Sequence, residues 1–181
     1  MRHKLSNEYS APVSDVRGSV WNCLAITALL LPSMAWIFMD RAVWPYDQAW
    51  YGEVTVDLWY WLGHSSRMWT RTMLTGLPMK PPGIVWLGQF FMPLRGLFRS
   101  IETALLFSIV VTEFVMLVIL LKIGQIMAPR SRSVPLAAVL FASSAQLFVG
   151  MSHQYFVEPL QGLAVAWCFY IALKSPGWSK A

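Results

Sequence analysis

Charge is scarce in this chain: Asp, Glu, Lys and Arg make up 13% of its 181 residues, against about 25% in an average soluble domain. Cysteine is scarcer still. Cys23 and Cys168 each sit alone in an apolar run. With no CxxC spacing and no His/Cys cluster, a disulfide framework, a zinc ribbon and a thiol-redox centre are excluded, and both thiols read as small packing residues. Repeats, low-complexity tracts and soluble linkers are also missing. What is present is apolar bulk: 56% hydrophobic residues, with ten Trp, ten Phe and ten Met. That balance excludes a disordered chain and a typical soluble enzyme, and it fits an all-α integral membrane protein.

The uncharged runs set the expected spans. Residues 18–39 hold 22 positions without charge, about 33 Å of helix, enough for a hydrocarbon core of about 30 Å. The run is too long for the apolar region of a signal peptide, and Pro32 kinks such a helix without ending it. Further spans are expected over about 102–122, 133–152 and 157–173. Only Glu113 interrupts the second of the four, as a carboxyl bonded to a neighbouring helix or facing a cavity. Residues 81–94 offer only 14 uncharged positions, broken by Gly83, Gly88, Gln89 and Pro93. This suits an interfacial helix over about 82–97 better than a crossing.

The positive-inside rule agrees. With four spans, Arg2, Lys4, Arg17, Lys122, Arg130, Arg132, Lys174 and Lys180 share one side with Glu8 and Asp15, a net of +6. The other side is neutral, Arg41, Arg67, Arg71, Lys80, Arg95 and Arg99 balancing six carboxylates. The expected topology therefore has both termini cytoplasmic, terminal tails at 1–17 and 175–181, and a large external loop over about 40–101, most naturally in the plasma (inner) membrane. The formal charge of +5 reports membrane orientation, and nucleic acid is excluded as a partner.

All the unusual chemistry falls on the external side. Trp44-Pro45-Tyr46-Asp47 reads as the start of an interfacial helix over about 45–62, Pro45 at its first position and Asp47 in its first turn. There the helix dipole favours an ionised carboxylate. Trp50, Tyr51 and Val54 follow at i+3, i+4 and i+7, a face suited to lipid headgroups. Glu53 lies about 120° around the helix from Asp47 and cannot share its face. Lys80-Pro81-Pro82 presents an ammonium on a stiff extended arm, and a headgroup-level phosphate is its natural partner. Glu158 precedes Pro159 at the mouth of the last span. His153 in the same connection completes a set, with Asp47 and Glu158, of candidate ligands for a divalent metal ion.

Four elements jointly resemble a known family. Asp47-Gln48-Ala49-Trp50-Tyr51-Gly52-Glu53 looks like the D-E-A-x-Y-x-E signature in the first external loop of GT-C glycosyltransferases. Lys80-Pro81-Pro82-Gly83-Ile84-Val85-Trp86-Leu87 is similar to the K-P-P-L-x-x-W-L element that follows it. Ile101-Glu102-Thr103-Ala104 resembles the start of the next span. Tyr155-Phe156-Val157-Glu158-Pro159-Leu160 resembles the L-D-x-P-L-type motif of the second external loop. Order, spacing and sidedness match over about residues 40–165, nearest to the protein O-mannosyltransferase and aminoarabinose transferase branch.

The resemblance implies transfer of a sugar, with inversion, from a polyprenyl-phosphate donor to an acceptor on the exoplasmic face. Asp47 takes the place of the general base. Lys80 stands where the departing phosphate is neutralised, with Arg95 and Arg99 as further phosphate-binding candidates. Glu158 orients acceptor or cation, and Glu53 braces the loop helix. The chain departs from the pattern at Gln48, where relatives have a second acid, at Met79 before the Lys-Pro-Pro, and at Glu158, where Asp is usual. Relatives carry more spans, which implies an N-terminal portion of a larger architecture or an additional membrane subunit. The competing expectation is a non-catalytic membrane scaffold or lipid-binding subunit of a larger complex.

Overall fold

The computed structural model describes residues 16–40 and 43–175. Charges that entered the topology argument at Arg2, Lys4, Glu8, Asp15, Arg41 and Lys180 lie outside the described residues, as does the side chain of Arg17. Among the described residues every regular element is helical: α1 (Val16–Met39), α2 (Tyr46–His64), α3 (Ser66–Thr75), α4 (Gly83–Gly88), a 3-10 segment (Gln89–Leu94), α5 (Arg95–Phe98), α6 (Ile101–Met127), α7 (Ser133–Ser144), α8 (Gln146–Met151) and α9 (Glu158–Lys174).

Two helices are long and apolar enough to cross a membrane, Val20–Met39 within α1 and the whole of α6. Pro32 lies inside α1 without ending it. α6 is the central post, packing against α1, α7 and α9. It runs five residues past the expected end at 122, through the uncharged stretch that follows Lys122 as far as Met127. The expected single helix over 133–152 is two. Ser143 and Ser144 donate to the carbonyls of Leu140 and Phe141, a back-bonding that bends helices, and Ala145 takes an extended ψ of 132°. α9 starts with Glu158, and Pro159 occupies its first turn, where a missing N–H costs nothing.

The stretch between α1 and α6 is more segmented than its sequence suggests. α2 begins one residue after Pro45, whose carbonyl accepts from Ala49 N. α3 was not expected; it is capped by Ser65 Oγ, which accepts from Met68 N. The interfacial helix expected over 82–97 is three pieces. Pro93 lacks the N–H for an α-helical bond, and the chain there tightens into the 3-10 turn before α5.

Contacts far apart in sequence gather the helix ends. Ser33 Oγ and Ser152 Oγ share a hydrogen bond of 2.8 Å, and Thr103 Oγ1 donates to Ile37 O at 3.4 Å. The last turns of α1, the start of α6 and the end of α8 therefore meet at one end. At the opposite end, a Cβ on Gly124 would lie 2.9 Å from the Pro135 backbone, so glycine there lets α6 and α7 touch. Glu113 is buried inside α6, and its Oε2 has no hydrogen-bond partner among the described residues. The bond to a neighbouring helix expected for it is not made by that oxygen.

Candidate functional site

The cluster begins with an ion pair. Lys80 Nζ lies 2.6 Å from Asp47 Oδ1, with the lysine side chain 28% and the aspartate 49% exposed. The pair is thus reachable from water and only partly desolvated. Lys80 sits just before Pro81-Pro82, and Asp47 in the first turn of α2. Two rings fix the ammonium between them: its nitrogen is 5.5 Å from the ring centroids of Trp50 and Tyr51, within the reach of a cation–π attraction. The hydrogen bond that Lys80 donates to Asp47 is the main reason that the Lys80 pKa rises above the ordinary lysine value. Lys80 is therefore a fixed cation at neutral pH.

Tyr51 was expected to face lipid headgroups together with Val54. Both are buried: the Lys80 ammonium and the Phe156 ring, edge-on at 6.4 Å, cover Tyr51, and Gly76 just past α3 lies against Val54. Burial raises the Tyr51 pKa foremost. The Lys80 charge opposes that rise, and the charges of Glu158 and Asp47 add to it. Tyr51 is thus the point at which α2, the Lys80 arm and the start of α9 meet electrostatically. Its place in the D-x-x-x-Y spacing was the available sequence signal.

A hydrogen-bonded lock holds the connection 152–158 over this cluster. Gln48, 4% exposed, accepts from Tyr155 N at 3.3 Å through its Oε1. Tyr155, wholly buried, donates its hydroxyl to Ile84 O at 3.0 Å and lies 3.0 Å from Thr55 Oγ1, which itself donates to Tyr51 O. Burial pushes the Tyr155 pKa well up, although Thr55 opposes it. Trp44 stacks on the Tyr155 ring at 5.6 Å. Gly88 lets the phenol in, since a Cβ there would overlap the Tyr155 hydroxyl. Gln48 is therefore a structural tie. Sequence alone did not single out Tyr155, Thr55 or Gly88 for this lock.

Other expected site residues stand apart from the pair. Glu53 is exposed and lines a cavity of about 600 Å³ between α1, α2 and the start of α6, on the far side of α2 from Lys80; Asp47, Lys80 and Glu158 are not among its lining residues. Arg95 and Arg99 sit exposed at the start and just past the end of α5, Arg99 in a left-handed conformation with φ 55°. Neither forms an ion pair or side-chain hydrogen bond among the described residues. His153 packs on Trp36 of α1 with ring centroids 5.2 Å apart. Burial lowers its pKa while the Asp40 charge opposes that. It thus faces α1, and no group of three His, Cys, Asp or Glu side chains suited to a metal ion occurs among the described residues. No family model matches the chain, and no curated protein or solved structure matches it either.

Proposed function

We propose that the chain is a membrane glycosyltransferase module, with α1, α6, the α7–α8 pair and α9 as four passes and the Asp47–Lys80 cluster at the exoplasmic surface. In favour of four passes, α7 and α9 leave large apolar side chains outside the protein: Phe141 is 80%, Val165 70% and Trp167 50% exposed. Surface of that kind is stable against lipid tails and costly against water. α9, of 17 residues, reaches about 25 Å and spans by drawing on the headgroup zone.

The observation that carries the functional reading is the 2.6 Å pair between Asp47 and Lys80, held between two aromatic rings with the Glu158 charge close by. The Lys80 ammonium has three donors. One meets Asp47, and the others are free to take a phosphate oxygen of a polyprenyl-phosphate sugar. As the acceptor hydroxyl attacks the anomeric carbon, its oxygen–carbon bond forms, the carbon–phosphate oxygen bond breaks, and that electron pair leaves on the phosphate beside Lys80. The acceptor's proton goes to Asp47. A single displacement of this kind inverts the anomeric centre.

A second reading, lipid-phosphate binding without turnover, draws on Gln48: it is tied to Tyr155, so no second carboxylate stands beside Asp47. Both readings are tested by incubating the full chain in detergent with a polyprenyl-phosphate-linked sugar and a panel of hydroxyl acceptors, Ser/Thr peptides and glycolipids, and scoring sugar transfer and lipid-phosphate binding separately. The transferase reading expects Asp47→Asn to cut transfer by about 10²–10⁴-fold, the usual scale of general-base catalysis, with binding kept, and Lys80→Ala to weaken binding. Binding that depends on Lys80 without any turnover supports the second reading, and no binding at all overturns both.

A further inference from the structure

The cavity behind α2 has a chemistry of its own. Its floor is apolar, built from Ile37 in the last turn of α1 and Leu105 and Leu106 in the first turns of α6. Its rim carries Glu53 and Glu102, with the Asp40 carboxylate also in the lining, and Trp44 forms part of its wall. The Glu53 and Glu102 carboxylates are exposed and Asp40 is half-buried. Glu102 accepts from the Ser100 hydroxyl at 2.8 Å, and neither glutamate forms an ion pair among the described residues. Anionic acceptors, an indole ring and an apolar floor are together complementary to one kind of group: an ammonium carried on an apolar chain.

The height of the cavity argues for the source of that group. It opens where α1 ends and α6 begins, the two helices long and apolar enough to cross a membrane, which is the level of lipid headgroups. Carboxylates recognise N–H donors, so a primary ammonium is bound by direct hydrogen bonds that a trimethylated one cannot make. We propose that this cavity is a lipid-headgroup site for a phospholipid bearing a primary amine, its acyl chains leaving along α1 and α6. The site is separate from the Asp47–Lys80 pair and does not rest on the transferase reading.

The test is lipid retention by the full chain. Protein in detergent micelles is mixed with equal amounts of phosphatidylethanolamine, phosphatidylcholine and phosphatidylglycerol of the same acyl chains, repurified, and its bound lipid identified by native mass spectrometry. The expected result is preferential retention of phosphatidylethanolamine, reduced about tenfold in a Glu53→Gln/Glu102→Gln variant, the scale set by losing a charge-assisted hydrogen bond. Both positions are exposed, so Gln is accommodated, and an unchanged lipid-free melting temperature verifies the fold. If that temperature falls, the single variants take the place of the double one, each with a smaller loss of preference. Equal retention of the ethanolamine and choline lipids overturns the proposal. So does a preference that survives removal of both carboxylates, or dominance of the anionic lipid.

Discussion

Gly88→Ala tests the lock that holds the 152–158 connection over the cluster. The new methyl would occupy the position of the Tyr155 hydroxyl and stand 3.1 Å from Thr55 Cγ2, so the phenol must withdraw from Ile84 O and Thr55 Oγ1. Orphaning a buried polar group costs about 1–3 kcal/mol and forcing a packed core about as much again, which places the single variant at ~2–6 kcal/mol. Tyr155→Phe alone removes the same hydroxyl without crowding, at ~1–3 kcal/mol. In the double variant the methyl moves into the space the hydroxyl vacated. Its remaining tight neighbours are the ring carbon Cζ at 3.0 Å and Thr55 Cγ2 at 3.1 Å, each of which must yield by a few tenths of an ångström. The double variant is therefore expected to cost less than the sum of the two singles by at least ~1 kcal/mol, a coupling of the size found between touching residues. Equilibrium unfolding by SDS in mixed micelles measures all four corners of the cycle. Additivity within ~0.5 kcal/mol would refute the steric and hydrogen-bond account together.

Two titrations follow from the same region. The Lys80 pKa is raised by its hydrogen bond to Asp47; the pair's contribution to stability is thus fully present below the ordinary lysine value of 10.5 and lost as pH rises through the raised one. Asp47→Asn should make the Lys80 amine react faster with an acylating reagent at alkaline pH, read by peptide mass mapping; an unchanged rate would contradict the pairing. For His153, burial lowers the pKa below 6.5, so its neutral form contributes stability above pH 6.5 that is lost as pH falls through the lowered value. His153→Phe should flatten that acid limb of the melting-temperature profile while keeping the contact with Trp36; a limb identical to the parent's would place the titration elsewhere.

The helical rods were legible because hydrophobic runs and charge gaps are one-dimensional signals. The run at 18–39 and the run beginning at 102 became α1 and α6, and Pro159 marked the start of α9. The outer layer was less legible for a physical reason. Whether Pro93 kinks a helix or tightens it into a 3-10 turn depends on what packs around it, and the Tyr51–Val54 stripe reads as lipid-facing until the Lys80 arm is laid over Tyr51 and the end of α3 over Val54. The Asp47–Lys80 pairing joins a helix start to a Pro-fixed arm, two features each visible in sequence without revealing the other as its partner. Gln48 illustrates the opposite error: read against a motif it is a missing acid, whereas in the fold its amide oxygen takes the Tyr155 N–H.

The hydrogen bond between Thr55 and Tyr155 spans 100 residues of chain, and that between Ser33 and Ser152 spans 119. During synthesis α1 and α2 emerge long before the segment that clasps them, so the outer layer stays unlatched until the ribosome has delivered residue 155. Loop closure over such distances is slow relative to helix formation. The Asp47–Lys80 pair joins segments made early, but its cover arrives later, and biogenesis of the site is thereby tied to translation of the 152–158 connection.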